Sequence, residues 1–400
     1  MTAYNFDEII NRRGTHCAKY DIFEDDVLPL WVADMDFPVP EPVIQALRER
    51  LNHPIFGYSI PDPELKEVLC KRMADRYHWD VTPEQIVFLP GVVAGYMMAI
   101  RAFGQPGDNV LMQTPVYPPF LTGPATLDQR AHSAELTGIR EGQRLRYEID
   151  FDVFKNAIDP RTRVFLLCSP HNPVGRVWRK DELTRMAEIC LDHDLVICSD
   201  EIHCDLLSEG HPHVPIAALS PEIAKRTITV MAPSKTYNLP SLGFAFAIIQ
   251  DEALRQQYEA AAAILPHVGV MGYTGALAAY RDGQPWLDAV LAYLQANRDF
   301  TTHFVEDYMP GVALTHPEGT YLSWLDCRNY TGKNNDGNEN NENSGSEWID
   351  GFFLKNARVA LNAGKMFGEN GAGFVRLNYA CPRTTLAEGL QRMRAAIERR

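Results

Sequence analysis

Four hundred residues and 45.1 kDa exceed what one hydrophobic core usually organises, so two domains sharing an interface are expected. A composition of 46% apolar and 22% charged residues is ordinary for a soluble globular chain, and a formal net charge of -14 argues against nucleic acid or an anionic membrane as partner, since both need a positive footprint. No run approaches eighteen apolar residues, no cationic leader opens the chain, and the eight cysteines form no CxxC pair, so buried free thiols and a cytoplasmic location are the default.

Residues 1 to about 30 are mixed and polar, with Asn11-Arg12-Arg13-Gly14 reading as a turn between short elements. Leu30 to Ala33 reads as a short strand that enters Asp34-Met35-Asp36-Phe37-Pro38. Pro42 to Leu51 reads as a helix with a permitted early proline, and Pro63 opens a second helix. Next come a strand (Ile86 to Leu89), a Pro90-Gly91 turn and a helix (Val92 to Phe103). That order clusters N–H groups at the helix start, as a phosphate requires, but any α/β protein turns this way. Neither a P-loop nor a dinucleotide-binding glycine signature occurs in a matching context.

Strand Asn109 to Gln113 leads into Thr114 to Phe120, where prolines pre-order the loop around Tyr117. Residues 145 to 159 read as a short strand and a helix, and strand Val164 to Cys168 delivers Ser169-Pro170-His171-Asn172-Pro173-Val174-Gly175. A helix at 180 to 193 and a strand at 195 to 199 end in Asp200-Glu201. A strand beginning at Thr227 stops at Pro233, just before Lys235, and Phe244 to Ile249 is again β-capable. Strands alternating with amphipathic helices predict a largely parallel sheet covered on both faces. An Ala-rich helix at 251 to 263 and long helices from about 270 to 308 follow, and short strands at 322 to 325, 358 to 361 and 374 to 378 predict a smaller α+β domain. Asn329 to Ser346 is nearly devoid of apolar residues and reads as a mobile surface excursion.

Two side chains stand out by position. Asp200 follows an apolar strand and Lys235 follows another, which puts both at the mouth of an α/β sheet, where ligands bind. A lysine to bond an aldehyde and a carboxylate to keep a pyridine nitrogen protonated are what a pyridoxal phosphate enzyme needs. On spacing alone, a lysine after a strand is more often a solvated turn residue, and Asp-Glu a helix opener.

The wording around those positions is more specific. WVADMDFPVP (31 to 40), FGYSIP (56 to 61), PGVVAGY (90 to 96), FLLCSPHNPVGRVW (165 to 178), SDEIHCDLL (199 to 207), TITVMAPSKTYN (227 to 238), PEGTYLSWLD (317 to 326) and FVRLNYACPR (374 to 383) occur in register along the whole chain. The chain thereby resembles the cysteine-S-conjugate and cystathionine β-lyases of the MalY/PatB group, fold-type I pyridoxal phosphate enzymes within the class I/II aminotransferase superfamily. The resemblance implies an α/β fold with a large cofactor domain over 45 to 280 and a small domain from 1 to 44 and 281 to 400. It also implies pyridoxal 5'-phosphate as cofactor, a small amino-acid substrate, a homodimer, and no metal.

Residue by residue, the resemblance makes Lys235 the cofactor-bonding lysine and later base, Asp200 the partner of the pyridine nitrogen, and Asn172 the partner of the phenolic oxygen. His203 would contact that oxygen or support Asp200, with a packed structural histidine as the alternative. Tyr117 would stack on the pyridine ring. The phosphate would meet the backbone at Val92 and Val93, Ser234, and Tyr58 from a partner subunit. Arg376 would grip the α-carboxylate through its planar fork, with Ala33 and Asp34 at the edge of the substrate pocket. Lys235, Tyr58 and Tyr117 are the implied catalytic set.

Gly243 stands where many aminotransferases carry arginine eight residues after the lysine, and Ala232 replaces a hydroxyl residue, so phosphate neutralisation is less complete. The group's lyases share the missing arginine, which favours β-elimination of a thiol from L-cystathionine or a related L-cysteine S-conjugate. An aminotransferase, or a lyase with an added regulatory contact to another protein, are the other readings.

Overall fold

The protein was analysed as a computed structural model that describes residues 4–330 and 348–399. Seven strands form the large sheet, in the spatial order Ile86–Leu89, Ala245–Ile248, Thr227–Met231, Val196–Asp200, Thr162–Cys168, Asn109–Thr114 and Arg130–Glu135. Every neighbouring pair from Thr227–Met231 onward is parallel, whereas Ala245–Ile248 runs against both strands beside it.

Both faces of this sheet are dry, and the strand period explains how. Val110, Met112, Val164, Leu166, Val196 and Cys198 pack with the helices Val92–Phe103 and Glu252–Ala262 through Tyr96, Ile100, Leu254 and Tyr258. Their alternates Leu111, Phe165, Leu167 and Ile197 pack on the opposite side against Leu183, Met186 and Cys190 of Lys180–Asp192. Side chains of period two on a strand buried on both faces read as continuous apolar runs, the pattern visible at 164 to 168 and 195 to 199.

A second, six-stranded sheet has the order Asn362–Ala363, Phe374–Asn378, Leu322–Asp326, Ala313–Thr315, Arg144–Glu148 and Thr137–Glu141. It is antiparallel except where Ala313–Thr315 meets Arg144–Glu148. Four of its strands lie in 313 to 378 and two in a hairpin at 137 to 148, which turns at Gly142 with φ +62. This sheet therefore draws on chain from both sides of residue 280.

Several sequence expectations shift locally. The long helices expected from about 270 to 308 are Val270–Asp282 and Gln284–Tyr308, separated by Gly283. Pro285, which has no N–H to donate, fits only in the first turn of the second helix. The strand expected at 358 to 361 is reduced to Val359–Ala360, which pairs in parallel with Leu28–Pro29. Residues 30 to 33 form no strand. Edge strand Arg130–Glu135 escaped the sequence reading because its side chains are mostly polar and partly exposed. The surface excursion expected at 329 to 346 lies, apart from Asn329 and Tyr330, outside the described residues.

Candidate active site

The parallel register brings three adjacent strand ends to one place. Val196–Asp200 lies between Thr162–Cys168 and Thr227–Met231, so its own last residue, Asp200, and the segments that follow its two neighbours, with Asn172 and Lys235, come to the same edge of the sheet. Asp200 is the last residue of a fully buried strand and is 5% exposed. One carboxylate oxygen accepts from the Ile202 N–H at 3.1 Å. Burial drives its pKa up to about 7, against the opposing pull of that N–H and of the Lys235 charge.

Lys235 sits not directly at a strand end but in the short helix Pro233–Thr236, which Pro233 opens after Ala232 in an extended conformation. It is partly buried at the wall of a cavity of about 230 Å³, and its Nζ donates to the Ala33 carbonyl at 2.5 Å. Burial, then the Arg376 charge, pull the amine down to about 8. That environment excludes the solvated-turn reading.

Around this pair the cavity wall includes Tyr117, Asn172 and His203. His203 is buried, its ring meets Tyr321 edge-on at 6.0 Å, and its Nδ1 has no hydrogen-bond partner among the described residues. Burial, helped by the Lys235 and Arg376 charges, holds its pKa far below the usual imidazole range, so the ring is neutral. Burial and the Asp200 charge raise the Tyr117 phenol. Asn172 accepts from Arg376 Nη1 at 3.0 Å through its side-chain oxygen.

Arg376 lies on strand Phe374–Asn378 of the second sheet and is 4% exposed. Its Nη2 donates to the Trp31 carbonyl at 2.9 Å and to Asn362 Oδ1 at 2.6 Å, while Nε is buried without a partner among the described residues. The guanidinium stacks 4.9 Å from the Phe367 ring centre, and burial pushes its pKa down to about 10. Asn172 thus connects the large-sheet loop to the second sheet through one hydrogen bond.

The other end of the cavity is the start of helix Val92–Phe103, where Gly91, Val92 and Val93 line the wall together with Ser234. Gly243 lines it too, with φ +63, the left-handed region that favours glycine. Among the described residues lining this cavity, Lys235 is the one Lys or Arg.

Three expected positions do not line the cavity: Arg376, which meets its wall through Asn172, and Tyr58 and Asp34. Tyr58 is fully exposed, its ring centre lies 6.2 Å from that of His267, and it is not among the residues lining the cavity of its own chain. Ala33 lines the cavity, but the Asp34 carboxylate points to Arg12 and Lys19, with Arg12 Nη2 at 2.6 Å.

Several residues with a place in this site escaped the sequence reading. Tyr321 donates to the Ala33 carbonyl at 2.8 Å, Asn362 anchors Arg376, and Asn378 and Asn238 bind the backbone of 32 to 37. Tyr321 and Asn378 lie inside the quoted motifs PEGTYLSWLD and FVRLNYACPR, the only signal that could have flagged them. Arg12 and Lys19 carried no signal in a polar turn region, yet both join the pocket wall's support.

The site suits a flat, anionic ring with a carbonyl. A buried acid with a raised pKa fits a ring N–H, which would restore its charge, and Asn172 with the His203 Nδ1, unpartnered among the described residues, fits a ring oxygen. An amine of depressed pKa fits an aldehyde, and the free N–H groups of a twelve-residue helix with a hydroxyl beside them fit a phosphate. These residues fit pyridoxal 5'-phosphate.

The chain belongs to the aminotransferase class I and II family, whose model matches residues 25–393. It is similar to cystathionine beta-lyase PatB of Bacillus subtilis, 39% identical across 98% of this chain and 100% of the relative, and to protein MalY of Escherichia coli, 31% identical across 98% and 99%. Among solved structures it is similar to the pyridoxal-phosphate-bound C-S lyase from Staphylococcus hominis, with a TM-score of 0.89 and 33% identity over 98% of this chain and 99% of that one.

Proposed function

We propose that this chain is a pyridoxal 5'-phosphate-dependent carbon–sulfur β-lyase that cleaves L-cystathionine or a related L-cysteine S-conjugate to a thiol, pyruvate and ammonia. The observation that carries the reading is the buried Asp200 and Lys235 on one cavity wall, together with full-length similarity to a cystathionine β-lyase. The bound cofactor supplies an aldehyde for the substrate amine and a ring that delocalises the electron pair left at Cα.

The chain's own groups do the rest. Lys235 would anchor the cofactor, and its amine, which burial lowers to about 8 in the cofactor-free chain, would be the base that takes the Cα proton. Asp200 would keep the ring nitrogen protonated, Asn172 and His203 would hold the ring oxygen, and Tyr117 would pack on the ring. Val92, Val93 and Ser234 hold the phosphate through the helix start. Arg376 fixes the α-carboxylate beside the Ala33 backbone, which orients the Cα–H bond toward Lys235. A thiolate leaves Cβ without a strong dedicated acid, because the reference thiol pKa is only about 8.5.

The same reading includes a homodimer in which Tyr58 reaches the phosphate of a partner subunit. Support comes from a fully exposed Tyr58 within a run that also exposes Ile55 (67%), Phe56 (57%) and Ile60 (88%), apolar surface that favours a protein contact. Ile60→Asp should shift the chain toward monomer in sedimentation equilibrium and weaken cofactor retention; a fully loaded, active monomer would end this part of the reading. A large cofactor domain over 45 to 280, a small domain from both termini and a cytoplasmic location complete the proposal. Eight free cysteines support the last point, and none of the helices among the described residues is long and apolar enough to cross a membrane.

The test supplies L-cystathionine without any keto acid. Sustained release of pyruvate, ammonia and thiol in equal amounts is expected. A reaction that stalls after one equivalent and restarts with an added keto acid would make the protein an aminotransferase.

A further inference from the structure

Residues 31 to 37 have no regular secondary structure, yet every main-chain carbonyl from Trp31 to Met35 accepts a side-chain hydrogen bond. Trp31 takes Arg376 Nη2 at 2.9 Å, Val32 takes Asn378 Nδ2 at 2.5 Å, and Ala33 takes both Lys235 Nζ and the Tyr321 hydroxyl. Asp34 takes Asn378 Nδ2 at 2.7 Å, and Met35 takes Asn238 Nδ2 at 2.9 Å. The segment is a ribbon of acceptors laid across the two cations that matter most to the site.

Arg376 makes the consequence specific. Both Nη2 hydrogens are taken, one by Trp31 and one by Asn362, while Nε is free. A carboxylate that grips the guanidinium with two parallel bonds needs an Nη2 hydrogen, and therefore displaces or shares one of these acceptors. Asn362 stands on a strand paired to that of Arg376, whereas Trp31 lies on the ribbon. The position of the ribbon thus decides how readily the donor is released.

Four charges hold the ribbon from behind. Lys19 Nζ lies 2.9 Å from Asp36 Oδ2 and 3.4 Å from Asp34 Oδ1, with a side chain 0% exposed. Arg12 closes the ring, with Nη2 at 2.6 Å from Asp34 Oδ2 and Nη1 at 2.5 Å from Asp36 Oδ1. Two cations and two carboxylates balance, and Asp36 N also donates to the Ala380 carbonyl at 2.9 Å. A buried ion cluster is a weak source of net stability, because desolvation offsets the attraction, but it fixes geometry tightly.

We propose that Arg12, Lys19 and Asp36, with the Asp34 carboxylate, are positioning residues: they set the place of the 31–37 carbonyls, and so the affinity of Arg376 for the substrate's α-carboxylate. The inference rests on the reading of Arg376 as the carboxylate-binding residue of an amino-acid enzyme. None of the four side chains touches the cofactor cavity, so their effect reaches the substrate through the backbone of Trp31 and Ala33.

The experiment titrates the holoenzyme with L-alanine, which has no leaving group at Cβ, and follows the cofactor absorbance; KM and kcat for L-cystathionine are measured alongside. In Lys19→Met and Asp36→Asn, the Kd for L-alanine and the KM should rise roughly tenfold while kcat stays within about twofold and cofactor affinity is kept. If Asp36→Asn does not fold, Arg12→Gln at the cluster's outer edge carries the same expectation. Variants that bind L-alanine as tightly as the parent, or that lose cofactor in step with amino acid, overturn the proposal. A parent protein that shows no absorbance change with L-alanine overturns the underlying reading of Arg376, and the proposal with it.

Discussion

Lys235 lies between two regions built on opposite principles. On one side, Asp200 and Asn172 hang from parallel strands whose side chains are dry on both faces, so their places follow from sheet register and core packing. On the other, the 31–37 ribbon has no ladder of its own and owes its path to side chains of Arg376, Asn378, Asn238, Lys19 and Arg12. The difference teaches where change should be felt. A framework held by a large core carries the chemical groups with little room for adjustment, while the ribbon, though Met35 and Phe37 root it in the core, presents carbonyls whose side-chain donors a ligand can compete for.

On the roles proposed for Lys235 and Asp200, substitutions on the sheet side should therefore strike the chemical step. Lys235→Ala removes the covalent anchor and the base together, and a fall in kcat on the order of 10³-fold or more is expected, with no lysine adduct after borohydride reduction and peptide mapping. Labelling of a different lysine would break the assignment. Asp200→Asn should lower kcat on the order of 10²-fold, because a neutral amide no longer holds the ring nitrogen protonated; steady-state kinetics with intact cofactor loading is the check.

At the junction of the two regions, Arg376→Lys keeps the charge but loses the fork. A rise in KM of roughly tenfold to a hundredfold is expected, from about 1.5–3 kcal/mol for one charge-assisted hydrogen bond. On the ribbon, Asn378→Ala removes the donor to both Val32 and Asp34. It should cost about 1–3 kcal/mol of stability and raise KM more than it lowers kcat, as thermal unfolding and kinetics would show. A pure kcat effect would erase the contrast between the two regions.

The smallest effect concerns pH. In the folded chain without cofactor, the Asp200 pKa is raised from 3.8 to about 7, so between those values the native state holds a proton that the unfolded state has released. Stability then falls as pH rises through this window. Asp200→Asn should abolish that slope, leaving the cofactor-stripped variant more stable than the parent near pH 7 and equal to it near pH 4. Chemical denaturation across this range measures it.

The sequence by itself determined the doubly covered sheet, because strands such as 164 to 168 and 195 to 199 read as unbroken apolar runs only when both faces are buried. It also marked Asp200 and Lys235 as candidates by their places after apolar strands, although those places alone favoured a helix opener and a solvated turn residue. Motifs in register from residue 31 to residue 383 carried the family and the roles expected of Asn172, His203, Tyr117 and Arg376. Tertiary structure alone decided which groups meet across long separations: Arg376 with Asn172 and Trp31, Tyr321 with Ala33, and Arg12 and Lys19 with Asp34 and Asp36. It also decided that Tyr58 stays outside its own cavity. Periodicity reports which face of an element is buried. A hydrogen bond between irregular backbone and a side chain 345 residues away leaves no periodic trace, and a buried lysine in a polar stretch looks like any solvated one until its two carboxylates are folded against it.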